Sequence, residues 1–416
     1  MDMSLSDFFT PLDVDSIAPK TGYYASQLGV KIDAFEHTFP DLESGKYNVA
    51  IFGVLEDRGA VNNQGCALGP NYIREKLYLL NEGSFESCIV DLGNIKAGDQ
   101  ISDTYIAVKM VVAELIKLQI FPIILGGSQD LTYAQYMAYE ELEQKVDLVV
   151  IDSHFDLDDS DEDTVATNSI SYLNKIFLHQ PNYLFNFSNL GYQTYFVNQD
   201  SLRVMDKLFF DAQRLGEISG AIHISEPAIR NADMISFDIS SVRASDAMAN
   251  GNAGPNGFYG EEACQMARYA GYSDKLSSMG FYEFNPAYDQ NGQTAMLLAQ
   301  MIWCFLDGYY SRKKDIPSAS KTDYLIYKAS LKEDGHELIF IKSKKTDRWW
   351  MQVPYPTMGS KNERYHLVPC LYEDYQLAVI KDQHPTIVVS PAPDSLKLDK
   401  NYVLGRLGDD YGLTKL

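Results

Sequence analysis

Short apolar runs alternate with polar loops and helical periodicity along the first three quarters of the chain. The apolar runs cover residues 48–54, 88–92, 121–125, 147–152, 234–239 and 278–284. A helix is expected to begin near Pro70, where a missing N–H is tolerated. Helical periodicity is also present at 106–118 and in the stretch that ends at residue 143. This repetition of buried strand, polar loop and helix predicts a three-layer α/β/α fold with a doubly wound, mainly parallel sheet.

The pattern changes near residue 318. Apolar and polar side chains then alternate, with turn residues between the segments, which are 324–327, 336–342, 348–353 and 366–370. Such alternation is typical of antiparallel strands. Trp349 and Trp350 are most simply anchors of this region on the core, and a binding platform is the alternative. We therefore predict an N-terminal arm over 1–46, an α/β domain over 47–317 and a small β-rich C-terminal extension over 318–416.

The composition excludes several classes of protein. Hydrophobic residues make up 45% of the chain and aromatic residues 12%, as in globular proteins. The longest apolar runs, at 121–125 and 148–151, are far too short to span a membrane. Residues 1–7 lack the basic start of a secretory signal. The net charge of −22 repels phosphate backbones and argues against nucleic-acid binding. For most of the surface this charge indicates solubility.

The cysteines give no sign of a disulfide framework. Cys66, Cys88, Cys264, Cys304 and Cys370 are an odd number and have no CxxC spacing. We interpret them as ordinary small core residues in a reducing compartment, and we expect a cytoplasmic protein.

The strongest candidate site follows the apolar run at 147–152, where Asp152, His154 and Asp156 are two residues apart. This spacing at a strand end directs two carboxylates and an imidazole into one loop. Such a donor set suits Mn²⁺, Fe²⁺ or Zn²⁺. Five more acidic residues lie between 158 and 163. A solvated acidic loop with a chance histidine is the alternative interpretation.

Three other strand ends carry polar residues. Asp238 interrupts an apolar run, and a buried carboxylate there needs a partner or a metal, although it could instead cap the next turn. Gly126 and Gly127 permit a sharp turn beside a site. An ordinary loop with Ser128 as the helix cap would explain them equally well. Glu283 lies at a fourth strand end, and taken alone it is explained by an exposed turn.

Together, these motifs resemble those of the ureohydrolase family, which includes arginases, agmatinases and formimidoylglutamases. The similarity covers most of residues 47–310. The matching segments are Gly53-Val54-x-x-Asp57, Gly65, Gly69-Pro70 with Ile73-Arg74, Gly126-Gly127, Asp152-Ser153-His154-Phe155-Asp156, Ser236-Phe237-Asp238-Ile239-Ser240 and Glu283-Phe284-Asn285-Pro286. Within the family, the chain is more similar to bacterial formimidoylglutamases than to arginases.

The resemblance implies an arginase-like fold, a homo-oligomer (trimer or hexamer) and a small-molecule substrate. It also implies two Mn²⁺ ions that share a hydroxide, because a pair of cations lowers the pKa of bound water. The family's six metal-ligand positions correspond here to Gln129, Asp152, His154, Asp156, Asp238 and Ser240. Glu283 corresponds to the residue that contacts the cationic nitrogen end of the substrate.

Two ligand positions depart from the family pattern, because Gln129 replaces a histidine and Ser240 replaces an aspartate. Arg243 reverses a charge near the site, and Asn168 lies where arginases carry a histidine that helps proton transfer. We treat Arg243 and Asn168 as candidate substrate-binding residues. The sequence thus predicts a metal-dependent hydrolase of a linear amidine or guanidine, such as formimidoylglutamate, with a degraded manganese site of one or two ions. The alternative is an inactive pseudoenzyme that binds a small molecule or a protein.

Overall fold

The computed structural model describes residues 4–17, 23–157, 167–315, 317, 323–330, 337–355 and 364–382. The strands in these residues are β1 (Phe9–Thr10), β2 (Asp33–Ala34), β3 (Val49–Leu55), β4 (Ile89–Lys96), β5 (Phe121–Leu125), β6 (Val146–Ile151), β7 (Leu184–Tyr192), β8 (Asp211–Arg214), β9 (Met234–Asp238), β10 (Ser278–Tyr282), β11 (Tyr324–Ser330), β12 (Glu337–Ser343), β13 (Trp349–Tyr355) and β14 (Arg364–Cys370). The α-helices are α1 (Val14–Ile17), α2 (Leu28–Lys31), α3 (Gly69–Leu77), α4 (Ile101–Lys117), α5 (Leu131–Glu141), α6 (Tyr172–Leu178), α7 (Gln199–Leu208), α8 (Leu215–Ile218), α9 (Glu226–Asn231), α10 (Gly260–Tyr272), α11 (Gln293–Tyr310) and α12 (Tyr372–Asp382). Short 3₁₀ helices cover Leu5–Phe8, Leu42–Ser44, Cys66–Leu68, Ile222–Ser225, Ile239–Ser241 and Pro286–Tyr288.

The large sheet has the strand order β1-β4-β3-β5-β10-β9-β6-β7-β8, and β2 also pairs with β4. Its central pairings are parallel, and the short β1 is antiparallel to β4. The order departs from chain order in the middle, since β10 and β9 lie between β5 and β6. In parallel α/β sheets, ligands bind in the crevice that such a reversal opens at the carboxyl ends of the strands.

Helices cover both faces of this sheet. Successive residues of a strand point to opposite faces, and β6 shows the division. Val149 and Ile151 pack into the same apolar cluster as α3, α10 and α11, whereas Leu148 and Val150 pack with residues of α5, α6 and α7. On that second side, α4 also covers β3 and β4. The predicted three-layer α/β fold with a mainly parallel sheet is confirmed.

The hydrophobic pattern predicts β3, β5, β6, β9 and β10 to within one or two residues, but it does not predict β7. That strand is interrupted by three polar side chains, Asn186, Ser188 and Asn189, which are nonetheless buried in the sheet. A strand that buries amide and hydroxyl groups lacks the continuous apolar run on which a prediction of buried parallel strands depends.

The N-terminal segment is partly built into the core. Phe9 in β1 pairs with Ile95, and Asp33 in β2 pairs with Val90. Leu28 is fully buried in the apolar cluster of α3 and α11. These residues therefore extend the sheet at its edge, whereas the sequence indicated an arm laid over the surface. The predicted boundaries of the three parts stay predictions.

The C-terminal strands β11 to β14 form the predicted small antiparallel sheet. Arg230 in α9 joins it to the α/β part, because its guanidinium lies 4.6 Å from the centroid of the Trp350 ring. The same side chain donates to the carbonyl oxygens of Trp349, at 3.1 Å, and Cys370, at 3.4 Å. These contacts agree with an anchoring role for the tryptophan pair.

A fully buried ion pair ties α3 to β4. The Arg74 and Asp91 side chains are both 0% exposed. Nε and Nη2 of Arg74 donate to the two Asp91 carboxylate oxygens at 2.8 and 2.9 Å. Nη1 donates to the Asn94 side chain at 2.6 Å, and the Tyr78 hydroxyl donates to Asp91 at 2.9 Å. Because every charged atom has a partner, the pair is tolerated in the core, and loss of one member would leave a bare buried charge.

No helix in the described part of the chain is both long enough and apolar enough to cross a membrane.

Replacement of Arg74 by methionine should destabilise the chain by about 3–5 kcal/mol, because Asp91 would be left buried without its cation. The control is Arg203→Met, since Arg203 and its partner Asp200 are 69% and 77% exposed. Loss of such an exposed pair should cost about 0–1 kcal/mol. Urea unfolding gives the free energy of unfolding of both variants. Equal destabilisation would contradict the conclusion that the buried pair matters more than the exposed one.

Candidate functional site

Four neighbouring strands, β5, β10, β9 and β6, end at one edge of the large sheet. Gln129 lies in the loop after β5, Glu283 directly follows β10, Asp238 ends β9 and Asp152 directly follows β6. Because these strands are parallel, their carboxyl ends meet in one crevice. The structure thus brings together candidate residues that are separated by more than 150 positions in the sequence.

A cavity of about 460 Å³ opens at this edge. The predicted site residues that line it are Gln129, His154, Asp156, Asp238, Ser240 and Glu283. Asp152 is only 1% exposed and lies outside the lining. Phe196 and Ile170 add an apolar part to the wall, and no lysine or arginine is present among the described residues that line the cavity.

Glu283 is held in place by backbone and side-chain hydrogen bonds. Its own backbone has the left-handed φ of 68°, which is uncommon for a residue with a side chain. One carboxylate oxygen accepts the Gln129 backbone N–H at 2.7 Å, and the other accepts the Asn63 amide at 2.6 Å. Asn63 and Asn250 also donate to the Glu283 carbonyl oxygen. The carboxylate is therefore fixed before any ligand binds.

The Asp152–Asp156 loop turns sharply after β6. The backbone N–H of His154 donates to Asp152 Oδ1 at 2.9 Å, and Asp156 has a left-handed φ of 48°. The His154 ring stacks on Phe196 with centroids 4.6 Å apart, and its Nδ1 lies 2.9 Å from the Ser153 hydroxyl. The imidazole is thus held against the apolar wall, with 40% of its side chain exposed.

At the end of β9, Asp238 begins a tight turn. Its Oδ1 accepts the backbone N–H of Ser240 at 2.7 Å, and the Ser241 hydroxyl donates to the Asp238 carbonyl oxygen at 2.6 Å. The capping role proposed as the alternative for Asp238 is therefore present. The same carboxylate also lines the cavity, so capping and a role in the site are compatible.

The carboxylates at this edge repel one another. Burial, followed by the charge of Asp152, raises the pKa of Asp156 well above its usual value. The pKa of Asp238 is also raised well above its usual value by burial and by Asp152 and Glu283. Burial raises the pKa of Glu283 to about 7, although hydrogen bonds from Asn63 and Gln129 act in the opposite direction. Such a cluster is stabilised by bound protons or by a cationic ligand.

The described side chains fit a pair of divalent ions poorly. Within the described ranges, no three His, Cys, Asp or Glu side chains are arranged as a group that would hold a metal ion. Gln129 and Ser240 supply no charge, and the Gln129 Nε2 is buried without a hydrogen-bond partner. The Asp152 Oδ2 likewise has no partner. Carboxylate oxygens still have the chemistry that hard cations prefer.

Both predicted substrate-binding residues lie outside the cavity wall. The Arg243 Nε lies 3.0 Å from Asp246 Oδ1, and its guanidinium lies 3.8 Å from the centroid of the Tyr259 ring. Asn168 stabilises a turn, because its Oδ1 accepts the backbone N–H of Ile170 at 3.1 Å. Neither side chain is among those that line the cavity. The acidic residues between 158 and 163 lie outside the described residues.

Several residues at the site carry no sequence signal that would have identified them. Asn63 and Asn250 hold Glu283 but lie in loops without a recognisable motif. Phe196, which stacks on His154, follows Tyr195 in a segment without a recognisable motif. Asp130 is buried beside Gln129, and burial raises its pKa to about 6. Asp130 is the exception to this lack of signal, because it is the one acidic residue of the glycine-rich loop.

The fold and site together define a three-layer α/β protein with an acidic ligand cavity at the carboxyl edge of its sheet. The family model described as the arginase family matches residues 47–307. The chain therefore belongs to the arginase family.

Among curated relatives, formimidoylglutamase from Staphylococcus aureus (strain MSSA476) is 28% identical over 284 residues, which cover 65% of this chain and 90% of that protein. Formiminoglutamase from Trypanosoma cruzi, solved with Mn²⁺, has a TM-score of 0.59 at 20% identity and covers 66% of this chain and 100% of its own. Formimidoylglutamase from Bacillus subtilis has a TM-score of 0.62 at 17% identity, with coverage of 69% and 92%. These two structures support the fold.

The glycine-rich loop lies close to Glu56, the residue that follows β3, and a substitution at Gly127 tests whether this contact leaves room for a side chain. A Cβ atom on Gly127 would lie 1.7 Å from the Glu56 carbonyl oxygen, and the Gly127 carbonyl accepts the Glu283 N–H at 2.8 Å. Gly127→Ala should therefore cost about 1–3 kcal/mol through overpacking. Gly216→Ala is the control, because a Cβ there meets nothing within 4 Å. Urea unfolding compares the stabilities of the two variants. A Gly127→Ala variant as stable as the wild type would show that position 127 has room for a side chain.

Proposed function

We propose that this chain is a hydrolase of the C–N bond of a linear amidine or guanidine, with a manganese centre weaker than that of a complete two-ion site. The single observation that carries the proposal is the cavity of about 460 Å³ at the sheet edge, lined by Asp156, Asp238 and Glu283 without a described lysine or arginine. An amidinium or guanidinium group is planar and cationic, and it offers paired N–H donors that match carboxylate oxygens. Its charge would also relieve the repulsion among these carboxylates.

In this proposal, Glu283 binds the cationic nitrogen end of the substrate. Its carboxylate is already fixed by the Gln129 N–H and the Asn63 amide, so little conformational freedom is lost on binding. Asp156 and Asp238 supply the remaining negative charge of the wall. Phe196 and Ile170 line the apolar part, which accommodates the methylene groups of a linear substrate.

The cavity supports the amidine end of formimidoylglutamate better than its dicarboxylate end. Two substrate carboxylates need cationic partners, and the described lining has no lysine or arginine. Arg58, another possible partner for them, is engaged with Glu56 and with the Gly98 and Asp99 carbonyl groups. Residues 158–166 also contain no basic residue. We therefore favour a substrate that lacks the two carboxylates, even though formimidoylglutamases are among the relatives.

The second candidate function is a pseudoenzyme that binds a small molecule or a protein. Two features favour it, namely the neutral side chains at positions 129 and 240 and the absence of a preformed metal-binding group in the described residues. Fold membership alone does not decide between catalysis and binding. Metal content and turnover separate the two candidates.

The first test restores the two altered ligand positions. The wild type, purified with Mn²⁺, should hold fewer than two ions per chain by elemental analysis. The double variant Gln129→His, Ser240→Asp should bind more Mn²⁺ and hydrolyse an amidine at least about tenfold faster, because ligand positions control metal affinity and activity. The control carries the same changes at two exposed positions, Gln144→His and Ser26→Asp.

Unchanged metal content and unchanged rate in the double variant would contradict the degraded-centre explanation. A wild type with no bound Mn²⁺ and no turnover of any amidine or guanidine would instead support the pseudoenzyme candidate.

The second test measures ligand charge preference in metal-free protein by calorimetry. Butylguanidinium should bind more tightly than formimidoylglutamate, and Asp238→Asn should weaken guanidinium binding at least about tenfold, because a buried charge partner is lost. Asp246→Asn is the matched control, since Asp246 pairs with Arg243 outside the cavity. Tighter binding of the dicarboxylate would overturn the proposed substrate class.

A further inference from the structure

A second cavity, of about 680 Å³, lies beside helices α10 and α11, and two of the five cysteines line it. Cys264 is in α10 and Cys304 is in α11, and both are half-buried. The sequence separates them by 40 positions without any motif, so no pattern predicts their association. Each cysteine lies one helical turn before a close contact between the helices, because a Cβ atom on Gly308 would lie 2.5 Å from the Arg268 carbonyl oxygen.

The two helices hold this pair in a fixed register. They cross closely further along, where a Cβ atom on Gly271 would lie 2.2 Å from the Phe305 carbonyl oxygen. Beside this crossing, Arg268 Nη2 and Asp307 Oδ2 form an ion pair at 2.8 Å. The two cysteines therefore lie at facing positions of a closely packed helix pair.

The surroundings of the pair favour the thiolate of Cys304. The hydrogen bond from Cys264, followed by burial in the opposite direction and the charge of Arg268, leaves the pKa of Cys304 lowered. The pKa of Cys264 is raised by its hydrogen bond with Cys304 and by burial. Asp307 and Glu261 act against a thiolate in the same region. The thiolate is the reactive form of cysteine, so we expect Cys304 to react first.

The other three cysteines do not combine partial exposure with a place in the wall of the second cavity. Cys66 and Cys370 are buried, and burial raises the pKa of both thiols. Cys88 is half-buried like the pair, but it lies just before β4 and does not line the second cavity. It therefore serves as a matched reference for an accessible cysteine without a partner thiol nearby.

We propose that Cys264 and Cys304 form a dithiol modification site that reacts with small anionic disulfides. The structure supplies an accessible cavity whose wall carries both thiols, two arginines (Arg243 and Arg268) and two carboxylates (Asp246 and Glu261). This mixed charge matches glutathione disulfide, which carries ammonium groups as well as carboxylates. The site is separate from the acidic cavity and does not depend on the proposed hydrolase function.

The reaction proceeds in two exchanges. The Cys304 thiolate attacks one sulfur of glutathione disulfide, which forms a mixed disulfide and releases one glutathione thiolate. The Cys264 thiol, after losing its proton to solvent, attacks the Cys304 sulfur and releases the second glutathione. Two protein thiols are oxidised to one disulfide, and glutathione disulfide is reduced to two glutathione molecules.

The test is peptide mapping of the full-length chain without reduction, after incubation with glutathione disulfide. Trypsin places Cys264 in the peptide 244–268, Cys304 in 276–312 and Cys88 in 77–96. In the wild type, the first two peptides should become cross-linked, while 77–96 stays unlinked. Cys264→Ser should accumulate a stable glutathione adduct on Cys304, because no resolving thiol is present. In Cys304→Ser, modification of Cys264 should be at least tenfold slower than that of Cys304 in Cys264→Ser.

Glutathione that remains on Cys304 in the wild type without cross-linking would overturn the dithiol assignment. Equal rates of modification at Cys88 and Cys304 would overturn the claim of a reactive site. Cross-linking is measured on the wild type, so this result tests the dithiol assignment even if a serine variant fails to fold.

Discussion

The mutual repulsion of buried carboxylates is the constraint around which this molecule is arranged. Parallel strands β5, β10, β9 and β6 end side by side, so the acidic residues that follow them cannot avoid one another. Asp156 and Asp238 are both buried and both have strongly raised pKa values. The fold tolerates this concentration because backbone N–H groups donate to the carboxylates of Glu283, Asp152 and Asp238. A cavity of this kind selects a positively charged occupant.

Much of the fold follows from the sequence, and the reasons for success and failure differ by element. β5 is predicted over its full length because a run of five apolar residues between loops leaves little alternative. β7 is missed because its buried face carries amide and hydroxyl groups. At the site, Asp152, Asp238 and Glu283 are predictable because each interrupts or ends an apolar run. Their partners Asn63 and Asn250 come from irregular loops, where neither periodicity nor spacing provides a signal.

Arg243 was expected to bind substrate because it is close to Asp238 in the sequence, but this proximity does not place it in the wall of the acidic cavity. Arg243 is only five positions after Asp238, yet it points to the second cavity, where it lines the same wall as the cysteine pair. The short 3₁₀ turn Ile239–Ser241 redirects the chain between these positions. Distance along the chain near a turn therefore gives no measure of which cavity a side chain enters, and the tertiary structure assigns each residue to its site.

Because a main-chain group anchors Glu283, this contact does not depend on which side chain stands at position 129. The N–H that binds Glu283 belongs to the backbone of residue 129, and it is available whichever non-proline side chain that residue carries. A histidine there can be exchanged for glutamine while the acidic wall keeps its shape. Under the proposed function, metal chemistry depends on the side chain of residue 129 and ligand recognition on its backbone N–H, so a substitution there changes the first without the second.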